Sequence, residues 1–401
     1  MRVRKIRKIL LILLIFFISL CILWGLGFSK PVQAFAQENT QKSAEEALDE
    51  NIREQLDNLD LEALEEYLKS LEGVSDEDIK DRLLAYVQGV DFDYGNFFKD
   101  LLGVFFANVT KILPSFACIA AISLLSGLIS TMKSGTLGKS SSEMIFLISY
   151  ATALIPLISV LIECFQSAMS SVNAMTEQMQ IVFPIMLTLL SASGGGVTAA
   201  ICRPAVGFFS TTIVSIIQSV VFPLTILIIA FSMAGNLTKE LKISKFTAFF
   251  KSINKWIIGV SVSVFGLFFT LQGITCANYD GVMRRAAKYA IGNGIPIVGG
   301  FLSGGFDLAV AGSVLIKNSL GSMSIFLLLS VLFEPLVLLI SVNLLLRLTA
   351  ALTQPFGDSR ISDFLDETAS NLHYCTAGLL FTAFLYFLCV VLMIYCTEAL
   401  F

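Results

Sequence analysis

The sequence predicts an all-α, polytopic helical membrane protein of about seven spans, with six to eight allowed. It adds one glycine-broken or re-entrant segment and a small acidic extracytoplasmic helical segment. Three observations predict this. The chain is 55% apolar and only 14% charged, against about 25% charged in soluble domains. Uncharged apolar runs of bilayer-crossing length recur from about residue 113 to the C-terminus. Charge is also segregated: residues 1–36 carry +6, residues 37–100 carry −13 and the remainder +3, within a net −4. Composition limits the chemistry as well. A single histidine, His373, excludes His-rich metal centres, and the acidic balance excludes an overall basic nucleic-acid binder.

Three regions follow: 1–36, 37–95 and 96–401. In the first, Arg2, Arg4, Lys5, Arg7 and Lys8 precede an apolar stretch from Ile9 to Phe28, then Pro31 and Ala34-Phe35-Ala36. That order is a secretory signal with a cleavage site at Ala34 and Ala36; the alternative is an uncleaved anchor, since the apolar run is long enough to span. Either way, Gln37 onward starts outside the cytoplasm.

Residues 37–100 hold 19 acids against six bases. Leu48, Ile52, Leu56, Leu59, Leu64, Leu68 and Leu71 recur at helical spacing, one apolar stripe on a polar cylinder. Ser43 with Glu46 reads as a capping box and Gly73 as the stop; a second helix runs from Ser75 to about Gly89. These helices pack on each other, on the membrane portion or on a partner; a solvated hairpin with no binding role is the competing expectation.

From Asn96 the chain turns apolar, with an interfacial helix around Phe97–Val109 leading into the first span. Spans are expected at roughly 113–131, 144–162, 181–201, 206–233, 256–276, 320–346 and 375–396, with a short glycine-rich eighth at 297–316. Lys133 and Lys139 fall inside the cell, as do the lysines of 236–255 and the cluster Arg284, Arg285 and Lys288 under the positive-inside rule. Simple alternation cannot place both later clusters inside. A re-entrant or half-helix is therefore expected at Gly194-Gly195-Gly196 or within 291–316.

Nucleotide motifs fail. Gly138-Lys139-Ser140 lacks the Walker glycine, because Lys133 stands there, and Gly292-x-Gly294 leads into Ile295-Pro296 rather than a helix start. Cys118, Cys164, Cys202, Cys276, Cys375, Cys389 and Cys396 form no C-x-x-C pair and read as small core hydrophobes. No cofactor is implied, and no nucleophile–base pair suggests an enzyme.

The candidate pore or assembly positions lie elsewhere. Seven glycines crowd between Gly292 and Gly312, among them Gly294, Gly299 and Gly300, with Pro296 between them. Such stretches line substrate paths in broken-helix transporters, or allow close helix packing. Lys111, Glu163, Asp307, Lys317, Glu334 and Arg347 are ionisable residues in apolar context. Glu334-Pro335 interrupts the apolar run Leu320–Leu346, and a charge there is expected to face a bundle interior or cavity.

Several of these residues also carry a resemblance. The run KYAIGNGIPIVGG from Lys288 to Gly300 resembles the signature of the stage III sporulation protein AE family of endospore-forming bacteria. So do Lys317-Asn318 with Gly321, Pro335, the run QPFGDSRI from Gln354 to Ile361, Ser193 to Gly196, and Gln272-Gly273. One departure is Ser303-Gly304-Gly305, where an acid is expected soon after the serine; Asp307 is the acid that follows. The resemblance implies a non-enzymatic membrane component of a secretion-like channel complex in the mother-cell membrane around the forespore, needed for forespore development after engulfment. It implies as partners other membrane and ring-forming proteins of the same operon, an associated ATPase and stage II sporulation protein Q, in an oligomeric assembly within the lipid bilayer. A stand-alone secondary transporter or permease with a broken-helix substrate site is the alternative; it predicts an internal repeat. Gly194 to Gly196 and the cluster from Gly292 to Gly305 lie about 100 residues apart, with no clear repeat around them.

Overall fold

The structure is a computed structural model that describes residues 38–57, 59, 61–70, 94–133, 139–237, 243–294, 299–355 and 359–398. The signal region 1–36, the helix expected from Ser75 to Gly89, and Pro296 lie outside the described residues.

No strand occurs among the described residues. The elements are α1 (Glu38–Asp57), α2 (Glu62–Ser70), α3 (Tyr94–Lys133), α4 (Lys139–Ala192), α5 (Gly196–Leu237), α6 (Ser244–Gly294), α7 (Gly299–Thr353) and α8 (Ser359–Glu398). Among the described residues six helices are long and apolar enough to cross a membrane: α3 over Phe105–Ile129, α4 over Glu143–Ala192, α5 throughout, α6 over Ser244–Thr270, α7 over Asp307–Thr353 and α8 over Arg360–Tyr395.

Six is the low end of the expected range, because two pairs of apolar segments fuse. The runs 144–162 and 181–201 lie largely on α4, a single helix of 54 residues. Its buried side chains explain the continuity. Phe146, Tyr150, Ala153, Leu157, Val160, Cys164, Ala168, Val172, Met175, Met179, Val182, Met186 and Leu190 follow three- and four-residue steps without a gap. The stripe persists through the polar stretch 166–180, whose hydrophilic residues lower its hydropathy. Likewise 297–316 and 320–346 fuse in α7, which is helical without interruption from Gly299 through Gly304, Gly305 and Gly312.

The glycine break is a real turn at the end of α4. Gly194 takes φ 93°. The Gly195 N–H donates to the Leu190 carbonyl at 2.9 Å and the Gly194 N–H to Ser191 at 3.1 Å, the paired bonds of a Schellman motif. A Cβ on Gly195 would sit 2.9 Å from the Leu190 carbonyl oxygen. The Gly195 carbonyl then accepts from Ala199 and opens α5. Two π-helical segments, Phe209–Ile213 and Ile217–Val221, interrupt α5.

The two basic clusters need no re-entrant segment. Lys245 and Arg285 lie near opposite ends of the uninterrupted α6, 40 positions or about 60 Å apart. The expectation that both lie inside the cell is incompatible with that helix crossing a bilayer.

α7 and α8 are the most buried spans and pack on each other at the centre. α3 and α4 pack against α7, α5 packs against α8, and α6 lies outermost against α5, α7 and α8. The acidic segment joins the same core. Ile52, Leu56, Leu61 and Leu64 are buried with the membrane helices, α1 on α7 and α2 on α4. Its predicted single helix is two, broken around Leu59, where the Leu59 N–H turns back to Leu56 and Leu61 carries the first helical carbonyl of α2. α1 starts at Glu38, so Ser43 lies inside the helix rather than capping it.

Candidate functional site

Three buried polar contacts at one end of the bundle tie separate elements together. Lys317, on α7, is fully buried. Its ammonium donates to the carbonyl oxygens of Met393 at 3.0 Å and Ile394 at 3.2 Å. Those carbonyls lie in the last two turns of α8, toward the end where the helix dipole presents negative charge. One turn along, a Cβ on Gly321 would lie 2.5 Å from Ile394 Cδ1, 2.8 Å from Ile394 Cγ1 and 3.3 Å from Met186 Cε. Glycine there lets α8 come close enough for Lys317 to reach its backbone. Asn318 is half-buried, and its Oδ1 is enclosed without a hydrogen-bond partner.

A second polar contact ties α2 to the bundle. The buried Gln178 side chain on α4 donates to the Tyr67 hydroxyl at 2.8 Å and more weakly to the Leu327 carbonyl at 3.4 Å. Burial pushes the Tyr67 phenol pKa up, with the bond from Gln178 opposing it. A third contact ties α1. Gln55 donates to the Ala309 carbonyl at 2.8 Å and accepts from the Ser313 hydroxyl at 2.8 Å. Gly312 makes room, since a Cβ there would meet Asn51 Oδ1 at 2.8 Å.

The candidate positions therefore divide. Gly194 and Gly195 form the α4–α5 turn, whereas a Cβ on Gly196 would meet nothing within 4 Å. Gly292 and Gly294 lie in the last turn of α6, Gly299 and Gly300 in the first turn of α7. Asp307 is half-exposed on α7. Glu334 stands apart, 17 positions or about 25 Å along α7 from Lys317. Its side chain is exposed on the bundle surface rather than turned inward, and its neighbour Pro335 is buried. Glu334 lies within electrostatic range of Lys111, whose ammonium bonds Glu163 Oε1 at 2.5 Å. Three of the ionisable residues picked from sequence thus form one surface cluster drawn from α3, α4 and α7.

Arg347 and His373 belong to the opposite end. Arg347 donates to Asn343 Oδ1 and Asp366 Oδ1, each at 3.1 Å, and its Nη2 lies 3.3 Å from His373 Nε2. Nearby, Lys251 pairs with Glu367 at 2.8 Å. Sequence reasoning passed over Gln178, Tyr67 and Gln55. Gln178 had a signal, being a polar residue on the buried stripe of α4 beside Met175, Met179 and Val182.

Among the described residues no three His, Cys, Asp or Glu side chains gather as a metal site. These features define a class: a multi-pass helical membrane protein whose buried polar groups fasten helices to one another. The family model for stage III sporulation protein AE matches residues 78–397, and the chain belongs to that family. It is 24% identical over 323 residues to the stage III sporulation protein AE of Bacillus subtilis (strain 168), covering 80% of this chain and 81% of the relative. That name states a stage of sporulation and no reaction. No solved structure matches the chain. α1 and α2 precede the region matched by the family model.

Proposed function

We propose that this chain is an integral component of a channel or secretion-like complex between mother cell and forespore, required for forespore development after engulfment. It sits in the mother-cell membrane that surrounds the forespore, with residues 37–95 extracytoplasmic. Membrane and ring-forming products of the same operon, an ATPase and stage II sporulation protein Q are its partners. Family membership supports the sporulation role. The observation that favours an assembly component over a free-standing permease is the use of Lys317. A buried lysine in a transporter serves a substrate or proton path; here its ammonium fastens α7 to the backbone of α8 beside the close contact at Gly321.

Orientation follows from the basic residues. Lys245, Lys251, Lys255, Arg347 and Arg360 gather at the end of the bundle remote from Lys317, and the positive-inside rule makes that end cytoplasmic. α1 and α2 then face the space between the two membranes. Affinity purification of the tagged full-length chain from sporulating cells, with mass spectrometry of what accompanies it, tests the reading. Recovery with the operon's membrane and ring-forming products is expected. Recovery alone, from cells that contain those products, would refute it.

A further inference from the structure

The exposed side chains of α4 change character at Glu163. Between Glu143 and Glu163 the exposed positions include Met144, Leu147, Ile148, Ile155, Ile158 and Ile162. Beyond Glu163 they are Gln166, Ser170, Asn173, Glu177 and Gln180, then Pro184, Thr188, Ser191 and Ala192. No large apolar side chain is exposed on α4 after Ile162. α5 follows the pattern in part. Its first half exposes Arg203, Thr211, Thr212 and Ser215 together with Ile201 and Phe208; its second half exposes Ser219 and Val220 beside Gln218 and then Ile226 and Leu227. Gln218 donates to Asn173 Oδ1 at 2.8 Å and joins the two polar stripes. On α7 the exposed apolar run is Ile340, Leu344, Leu348 and Leu352, all on the far side of Glu334 from Lys317. Beyond the level of Glu163 the large apolar side chains that are exposed, where burial is described, are Phe106, Ile201, Phe208, Val220, Phe326 and Tyr395, with Val262, Val264 and Leu267 on the outermost helix α6.

α1 and α2 give independent support. They dock on the half of the bundle that lacks the apolar belt, at Ala309, Ser313, Gln178 and Leu327. Their outward faces carry Glu50, Glu54, Asp57, Glu62 and Glu66, all exposed. A row of carboxylates cannot face acyl chains. The part of the bundle they cover must therefore stand in water.

We propose that the bilayer encloses only the half of the bundle between Glu143 and Glu163, and that the other half, with α1 and α2 on its flank, projects into the extracytoplasmic space. The dimensions agree. Glu143 and Glu163 are 20 positions apart, about 30 Å of helix and the thickness of a hydrocarbon core. The remaining 29 residues of α4, from Cys164 to Ala192, extend about 43 Å further. The cluster of Lys111, Glu163 and Glu334 lies at the outer rim, where charges reach lipid headgroups and water. The buried contacts of Lys317, Gln178 and Gln55 then stabilise an aqueous helical projection rather than a transmembrane path. The side of the membrane rests on the orientation proposed above; the depth of burial does not.

Fluorescence quenching tests the depth. The sequence holds two tryptophans, Trp24 and Trp256, and Trp256 lies exposed in the belt. Full-length protein carrying Trp24→Phe and Trp256→Phe receives one new tryptophan by Ile155→Trp, Ser170→Trp or Gln180→Trp, in nanodiscs. Brominated phospholipid is expected to quench the Ile155→Trp protein roughly two-fold or more strongly than the other two, and aqueous iodide to show the reverse order. Equal quenching of all three by brominated lipid would overturn the proposal. So would protection of Ser170→Trp and Gln180→Trp from both quenchers, which would place the stripe in a protein interface. Trp24→Phe alone leaves native Trp256 as a control for lipid contact.

Discussion

Replacing Gly321 with valine should loosen the junction of α4, α7 and α8, and the size of the effect follows from three distances. Carbon atoms pack best at about 3.5–4.0 Å. A Cβ at Gly321 would lie 2.5 Å and 2.8 Å from two atoms of Ile394 and 3.3 Å from Met186. Both neighbours are buried, so the strain cannot relax into open space. Overpacking of this kind costs about 1–3 kcal/mol, and removal of a glycine from a helix interior returns less than about 1 kcal/mol. A net loss of about 2 kcal/mol is expected, because valine adds two methyl groups beyond the clashing Cβ. The same displacement pulls Met393 and Ile394 away from the Lys317 ammonium. The buried thiols of Cys164, Cys202, Cys375 and Cys389 provide the assay, as their reaction with a thiol dye on heating reports opening of the bundle. Gly321→Val should lower the unmasking temperature by a few degrees. Ile394→Ala removes both clashing atoms; it costs about 2–5 kcal/mol alone, but the double variant should be more stable than the summed losses by about 0.5–3 kcal/mol. Additive losses, or a Gly321→Val protein that opens at the parental temperature, would refute the packing argument.

Tyr67→Phe removes the acceptor for Gln178, whose Oε1 is already buried without a partner; a loss of about 1–3 kcal/mol in the same thermal assay is expected, and an unchanged transition would show that α2 is not held by this bond. Glu334→Ala should leave protein levels unchanged, since the side chain is exposed, while reducing spore yield; disappearance of the protein on an immunoblot would assign Glu334 a structural role. Lys111→Glu sets a third carboxylate beside Glu163 and Glu334 and should lower accumulation in membranes, whereas adding Glu163→Lys should restore it; failure of that exchange would remove the ion pair as a determinant. Lys245→Cys and Arg285→Cys should react with an impermeant maleimide from opposite faces of the membrane, and labelling from one face would contradict the uninterrupted α6.

Helical class and membrane character are legible from hydropathy, because each span needs about 20 apolar residues and the sequence provides them repeatedly. The number of helices is less legible, because hydropathy weights every face of a helix alike. Residues 166–180 resemble a loop by their Gln, Ser, Asn and Glu content, yet Ala168, Val172, Met175 and Met179 keep the buried stripe in register. Glu334 and Lys317 are both charges in apolar surroundings in the sequence. Their opposite fates depend on partners the sequence does not place beside them. Lys317 finds backbone carbonyls 76 and 77 positions away, which no side-chain pattern announces. Glu334 finds Lys111 on another helix and needs no interior. The Schellman turn at Gly194 was accessible, since three consecutive glycines after a long apolar run are a stop signal. A re-entrant segment was needed only to bring both basic clusters inside the cell, and α6 carries Lys245 and Arg285 near its two ends instead.

The docking of α1 has a consequence for how the chain is made. Gln55 binds a carbonyl 254 positions later, and Tyr67 meets Gln178 across 111 positions. At about 5–20 residues per second, the ribosome delivers Ala309 roughly 13–50 s after Gln55. Throughout that interval Ile52, Leu56 and Leu64 have no finished surface to bury against. α1 thus emerges well before the surface it settles on, and its acidic face keeps the waiting segment soluble until α7 arrives.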